Sequence, residues 1–199
     1  MSTTSAASAG KSALRERLLA VRAALPPAAR ESASRSIASR LASLPAWQRA
    51  RTVVLHAALG AEVDTAELAR IALAAGKRIA WPRVSTAGPA MEFACCALSE
   101  LVPGPTRALE PPPSAPLVPL DAVDLVVVPG VAFDTRGGRL GRGRGHYDAT
   151  LSRLRPDAAR VGLAFDEQVV DRVPTEPHDA PLDVVVTPSR LILAGDRPG

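Results

Sequence analysis

Apolar residues recur at helical spacing twice before any strand pattern begins. Leu14, Leu18, Val21 and Leu25 form a stripe over residues 11–25 that Pro26 and Pro27 end. Ile37, Leu41 and Leu44 repeat it over 28–44, up to Pro45. The pattern then changes to short, continuous apolar runs, and Val53, Val54 and Leu55 mark a first strand over 52–56. Asp64, Thr65, Ala66 and Glu67 read as a capping box that opens a helix through Ala75, with Gly76 as its stop signal. Residues 77–81 read as a second strand broken by Pro82, and 91–97 as a third. Further strands are expected over 124–128, 160–165, 182–187 and 191–193, with a helical pattern running to about Leu154 in between.

Strands alternating with helices predict an α/β fold: a single three-layer α/β/α domain with a largely parallel sheet, preceded by two N-terminal helices. The valine runs 126–128 and 184–186 are apolar on both faces, as strands buried in a parallel sheet are. With 199 residues, 47% of them hydrophobic, the chain can build one sizeable core, which we expect over 11–199 behind a disordered tail at 1–10. The stretch 103–119 holds seven prolines and reads as an extended surface connection. Cys95 and Cys96 are adjacent, which disfavours a disulfide between them, and a chain with two thiols fits a reducing cytoplasm. No signal peptide and no membrane-spanning run is read from the sequence.

Charge adds one focus. The net charge is only +4, yet Arg136, Arg139, Arg142 and Arg144 fall within nine residues, interleaved with Gly137, Gly138, Gly141, Gly143 and Gly145. Glycines let backbone N–H groups approach an anion, arginines add charge, and Asp148 just beyond can hold a divalent cation on the same phosphates. The spacing is not that of a Walker A loop, which needs Lys followed by Ser or Thr where His146 and Tyr147 stand. It is not a dinucleotide fingerprint either, because His146 occupies the position of the last small residue. A phosphorylated small molecule suits so local a field better than a nucleic acid does; a non-catalytic nucleotide- or RNA-binding module is the competing reading.

Residues 128–134 followed by 138–148 closely resemble the signature of the 5-formyltetrahydrofolate cyclo-ligases, also called methenyltetrahydrofolate synthetases. Lys11 and Arg15 resemble the basic pair of the family's first helix, Glu62 to Thr65 its early acidic turn, and Leu109-Glu110-Pro111 its mid-chain segment. Gln168, Pro174, His178, Asp179, Leu182 and Asp183 resemble its C-terminal pattern. The chain departs from the family at His56, where many members carry an aromatic, and at His146, where they often carry tyrosine.

The resemblance implies ATP- and magnesium-dependent conversion of 5-formyltetrahydrofolate to 5,10-methenyltetrahydrofolate, with ADP and phosphate released. A related ligase acting on another formylated or amino metabolite is the alternative. It implies ATP binding by Lys11, Arg15, Arg139, Leu140, Gly141, Arg142, Gly143, Arg144, Gly145, His146 and Tyr147, with Arg144 and Tyr147 catalytic. It implies folate contacts from His56, Ala57 and Glu62, and magnesium on Asp148 and Asp183. Trp81 is either part of the folate pocket or core. ATP and a reduced folate are the expected partners of a cytoplasmic monomer or weak dimer, without nucleic acid or membrane.

Overall fold

In a computed structural model, which describes residues 3–195, the short apolar runs lie side by side as the centre of the protein. The first half of the chain gives α1 (Thr3–Ala24), α2 (Pro27–Ala42), α3 (Pro45–Arg49), β1 (Thr52–Val54), α4 (Ala66–Ala74), β2 (Arg78–Val84) and β3 (Met91–Ala94). Then come β4 (Val102–Pro103), β5 (Leu109–Glu110), β6 (Leu117–Val118), β7 (Leu125–Val128), β8 (Ala132–Asp134) and β9 (Arg139–Leu140). The last part holds α5 (His146–Leu151), β10 (Ala159–Leu163), β11 (Val169–Val170), β12 (Val184–Val186) and β13 (Leu191–Leu193).

Eight strands form the main sheet in the order β13-β12-β10-β7-β1-β2-β3-β6. The run β12-β10-β7-β1-β2 is parallel, and antiparallel strands finish both sides. Successive side chains of a strand point to opposite faces, so each valine run feeds two cores. Leu125 and Val127 pack with Val53, Val161 and the helix residues Ile37, Leu41 and Leu68 on one face. Val126 and Val128 pack with Val54, Val185, Phe133 and Leu151 on the other. The first face is covered by α2, α3 and α4; the second by the short α5 and by β8 of a small β11-β8-β9 sheet. Helix α1 uses Leu18 to pack on Val131, Leu140 and Val173, against that small sheet.

One topological feature positions the site. From β1 the chain moves outward through β2 and β3, then returns to the other side of β1 as β7. The loops leaving β1 and β7 therefore diverge, opening a crevice at the carboxyl ends of adjacent parallel strands.

Several local expectations meet a different outcome. Helix α1 starts at Thr3, so the segment expected as tail is helical from there; Met1 and Ser2 lie outside the described residues. Alanine-rich sequence propagates a helix without an apolar stripe to announce it. Strand β2 passes through Pro82 because β1 pairs with it only as far as Ala80, leaving that side of Pro82 without a ladder partner. The proline-rich stretch supplies a β4–β5 hairpin and the edge strand β6. The capping box does not form: the Thr65 hydroxyl donates to the His56 carbonyl at 2.5 Å, and Asp64 Oδ1 accepts the Ala66 N–H at 2.9 Å. Gly76 does stop α4, at φ +68°, with the Lys77 N–H donating to the Ala72 carbonyl. Trp81 is core, its indole N–H donating to the Cys96 carbonyl at 3.1 Å. Both cysteines are free thiols and half-buried.

Candidate active site

A cavity of about 710 Å³ occupies the crevice. His56, Ala57, Leu59 and Glu62 enter it from the exit of β1, Pro129 and Gly130 from the exit of β7, and Pro82 and Val84 from β2. Residues 139–148 close one side, Lys11 and Arg15 reach in from α1, and the β4–β5 hairpin adds Leu109 and Glu110. Every site residue expected from the sequence lines this cavity except Asp183.

The glycine loop is built by local bonds. Asp134 Oδ1 accepts the N–H groups of Arg136 and Gly138 at 2.9 and 2.8 Å, and its Oδ2 accepts that of Val173 at 2.9 Å, shaping the turn between β8 and β9. A Cβ on Gly138 would stand 2.6 Å from Asp134 Oδ2, so that close approach requires glycine. Gly143 and Gly145 adopt φ of +95° and +70°, and Gly145 turns the chain into α5. Leu140 is buried against α1 and anchors the loop, while Arg15 Nε donates to the Gly141 carbonyl at 3.0 Å.

Two of the loop's four arginines, Arg139 and Arg142, are matched by acids. Arg139 Nη2 bonds Asp148 Oδ1 at 2.7 Å, and its guanidinium lies 5.8 Å from the centre of the Tyr147 ring. Arg142 bonds Glu62 Oε1 through Nη2 at 2.9 Å and Nε at 3.2 Å. Lys11 Nζ bonds Glu176 Oε2 and Asp179 Oδ2, each at 2.8 Å. Burial works against the charged form of Lys11, but its bonds to Asp179 and Glu176 outweigh that and raise its pKa. Ligand atoms of Glu176, His178 and Asp179 lie within 4.8 Å of one another, yet with Lys11 on both carboxylates the group is a salt-bridged clasp between α1 and the 176–179 turn. Among the described residues Arg15 and Arg144 pair with no acid, and these two guanidiniums face the cavity as uncompensated charge. Arg136 does not line the cavity.

Asp148 has the donor chemistry of a magnesium site. Its Oδ1 accepts from Arg139 and from the Ala180 N–H at 3.2 Å, and its Oδ2 carries no hydrogen bond among the described residues. Magnesium is held by one or two carboxylates plus phosphate oxygens and water, so this one oxygen fits it. Asp183 does not join it in the cavity. Its Oδ2 accepts the Arg160 N–H at 2.7 Å at the amino ends of β10 and β12, away from the carboxyl-end crevice. Burial raises the Tyr147 pKa, with the Glu62 charge adding and Arg139 opposing, so its phenol stays protonated as a donor. Burial lowers the pKa of His56, and its neutral ring has a buried Nδ1 without a hydrogen-bond partner among the described residues. His146 Nδ1 lies 2.9 Å from the Pro89 carbonyl, which orients its ring.

A model of the 5-formyltetrahydrofolate cyclo-ligase family matches residues 7–188. The chain belongs to this family. The 5-formyltetrahydrofolate cyclo-ligase of Mycolicibacterium smegmatis is 33% identical over 92% of this chain and 96% of its own. That of Escherichia coli K12 is 35% identical over 85% and 96%. The NMR structure of Aquifex aeolicus 5,10-methenyltetrahydrofolate synthetase is 33% identical, covers 95% of each chain and superposes with a TM-score of 0.82. The large, mostly parallel sheet of this cyclo-ligase chain is thus the family's fold. Residues that the sequence reading did not assign also shape its cavity. Glu110, buried in the wall, accepts the Val84 N–H at 3.0 Å, and Arg22, enclosed behind the wall at the end of α1, donates to the Gly130 carbonyl. A carboxylate set among apolar and proline residues was the available signal for Glu110; for Arg22 it was helical spacing from Lys11 and Arg15.

Proposed function

We propose that this cyclo-ligase converts 5-formyltetrahydrofolate and ATP to 5,10-methenyltetrahydrofolate, ADP and phosphate through phosphorylation of the formyl oxygen. The formyl oxygen takes the γ-phosphoryl group as the bond to ADP breaks; folate N10 then attacks the activated carbon and gives up its proton, and the C–O bond breaks with its electron pair leaving on phosphate, which carries the proton away. Phosphoryl transfer asks mainly for positioning and charge stabilisation, which needs no nucleophilic side chain. Arg15 and Arg144 bind the triphosphate with the N–H groups of residues 141–145, which have no backbone partner among the described residues. Arg139 holds Asp148 in place, and Tyr147 donates its phenolic proton as a hydrogen bond to a phosphate or formyl oxygen. Glu62 accepts paired N–H donors of the pterin, His56 and Ala57 floor the same pocket, and the cavity wall excludes water from the activated intermediate.

Magnesium would be held by Asp148 with phosphate oxygens and would offset charge on the transferring group. Asp183 has no part in this reading. Two free thiols fit a reducing cytoplasm, where we place the protein as a monomer or weak dimer acting without nucleic acid. Among the described residues, no helix is long and apolar enough to cross a membrane.

The observation that carries this reading is the Arg142–Glu62 bond, which joins the phosphate-side loop and the pterin-side acid in one cavity. Mixing purified protein with Mg-ATP and 5-formyltetrahydrofolate is expected to produce the methenylfolate absorbance band. Folded protein that gives no turnover at high enzyme concentration overturns the proposal. Arg144→Ala is expected to reduce kcat/KM for ATP by about 10²-fold, the scale of one lost transition-state charge contact, with unchanged thermal stability. Steady-state kinetics in both substrates checks it, and a wild-type rate removes Arg144 from the site.

A further inference from the structure

Arg22 is a buried charge that the chemistry above leaves unused. At 100° per residue, Lys11, Arg15, Leu18 and Arg22 fall within an arc of about 60° on α1. One face of the helix therefore carries three cations toward the crevice, with Leu18 seating it on the small sheet. Lys11 and Arg15 stand at the cavity, but Arg22 is almost wholly enclosed, its side chain only 4% exposed. Its Nη1 donates to the Gly130 carbonyl at 3.1 Å, and its Nη2 lies 3.8 Å from Glu62 Oε1. The void bounded by Arg22, His56, Glu62, Gly130 and Gln168 is too small to admit water. The Gly130 carbonyl is further held by Gln168 Nε2 at 3.2 Å.

Gly130 leaves β7 and Glu62 leaves β1, so a single guanidinium spans the two lips of the crevice at the topological switch point. Burying such a charge is expensive in desolvation, and an apolar residue of similar volume would fill the same space more cheaply. A role for the charge itself accounts for its presence. The other cation on Glu62 is Arg142, an exposed residue of the phosphate-binding loop. The Leu59 N–H holds Oε2 at 3.0 Å, so without Arg22 the one cation left on Oε1 among the described residues would be that of the loop.

We infer that Arg22 is a positioning residue for folate recognition: it fixes Glu62 toward the pterin and ties it to the Gly130 lip, independently of the nucleotide loop. This rests on the function proposed above. It assigns Glu62 two cations with different duties, a fixed one beneath and an exchangeable one above.

Calorimetric titration of full-length wild type, Arg22→Gln, Arg22→Lys, Glu62→Gln and the Arg22→Gln/Glu62→Gln double variant tests it, with 5-formyltetrahydrofolate and ATP titrated separately. Arg22→Gln, which keeps an N–H donor but not the charge, is expected to weaken folate binding about tenfold, the middle of the range for coupled neighbours. ATP affinity is expected to stay within about twofold, and Arg22→Lys to recover most of the loss. On the Glu62→Gln background, Arg22→Gln is expected to add less than about twofold. Equal weakening of both ligands, unchanged folate affinity, or losses that multiply in the double variant each overturn the positioning role. If Arg22→Gln does not fold, Arg22→Met, which fills a similar volume without the charge, takes its place in both titrations. A loss of a few-fold confined to folate supports the inference, and no loss or an equal loss for ATP overturns it. Wild type that binds ATP but not 5-formyltetrahydrofolate overturns the proposed function and this inference together.

Discussion

Asp148→Ala is expected to cut ATP-dependent turnover by about 10²–10³-fold and to lower stability by about 3 kcal/mol. The two losses have different origins. The Arg139 side chain is only 4% exposed, and Asp148 is the acid that neutralises it, at 2.7 Å. Removing one partner of a buried pair leaves the other charge without compensation. The catalytic loss comes from Oδ2, the oxygen that carries no hydrogen bond among the described residues. Asp148→Asn separates the terms, because its amide oxygen still accepts from Arg139 and from the Ala180 N–H. We expect Asn to restore most of the urea midpoint but little of kcat/KM for ATP. An Asn variant with wild-type kinetics would show that Asp148 serves only to hold Arg139, and the magnesium role would fall.

The amino-acid sequence announces such roles at some residues and hides them at others. The parallel sheet is legible because the valines at 126–128 are apolar without alternation, and each is buried against one core or the other. Gly76 is legible because only a residue tolerant of positive φ ends a helix in that way. The strands β8, β9 and β11 are not legible: at two or three residues they carry no period, and hydrogen bonds such as those to Asp134 shape them. The glycine loop marks a phosphate site by composition, and family resemblance gathers almost all of its partners. What neither supplies is pairing. Arg142 meets Glu62 from 80 positions away, and Lys11 of α1 meets Asp179 from 168, so the charge at the cavity is partly matched rather than uniformly free. Asp183 shows the reverse case: a carboxylate with a site role by resemblance that the fold turns to a backbone N–H of the neighbouring strand. Thr65 is similar, since its hydroxyl leaves the helix cap to hold the His56 carbonyl at the cavity floor.

Glu62→Gln is expected to raise KM for 5-formyltetrahydrofolate by about 10²-fold, while KM for ATP changes by less than about threefold. The estimate follows from the loss of two charge-assisted hydrogen bonds to the pterin at about 1.5–3 kcal/mol each, partly replaced by one neutral bond from the amide oxygen. The amide nitrogen of glutamine is a donor, so it cannot accept the second of two parallel N–H groups and opposes it instead. The variant is expected to fold. The Leu59 N–H, which Oε2 accepts at 3.0 Å, can turn to the amide oxygen, and Arg142 is exposed enough to be hydrated on its own. Its lost ion pair therefore costs little. Arg22 is the group that suffers, buried 3.8 Å from an oxygen that no longer carries charge. Steady-state kinetics with each substrate varied in turn checks the split. A matched rise in both KM values would mean that Glu62 orders the glycine loop through Arg142 rather than gripping the folate. An effect on folate alone places the acid on the pterin side of the crevice, with the triphosphate held by the loop that faces it.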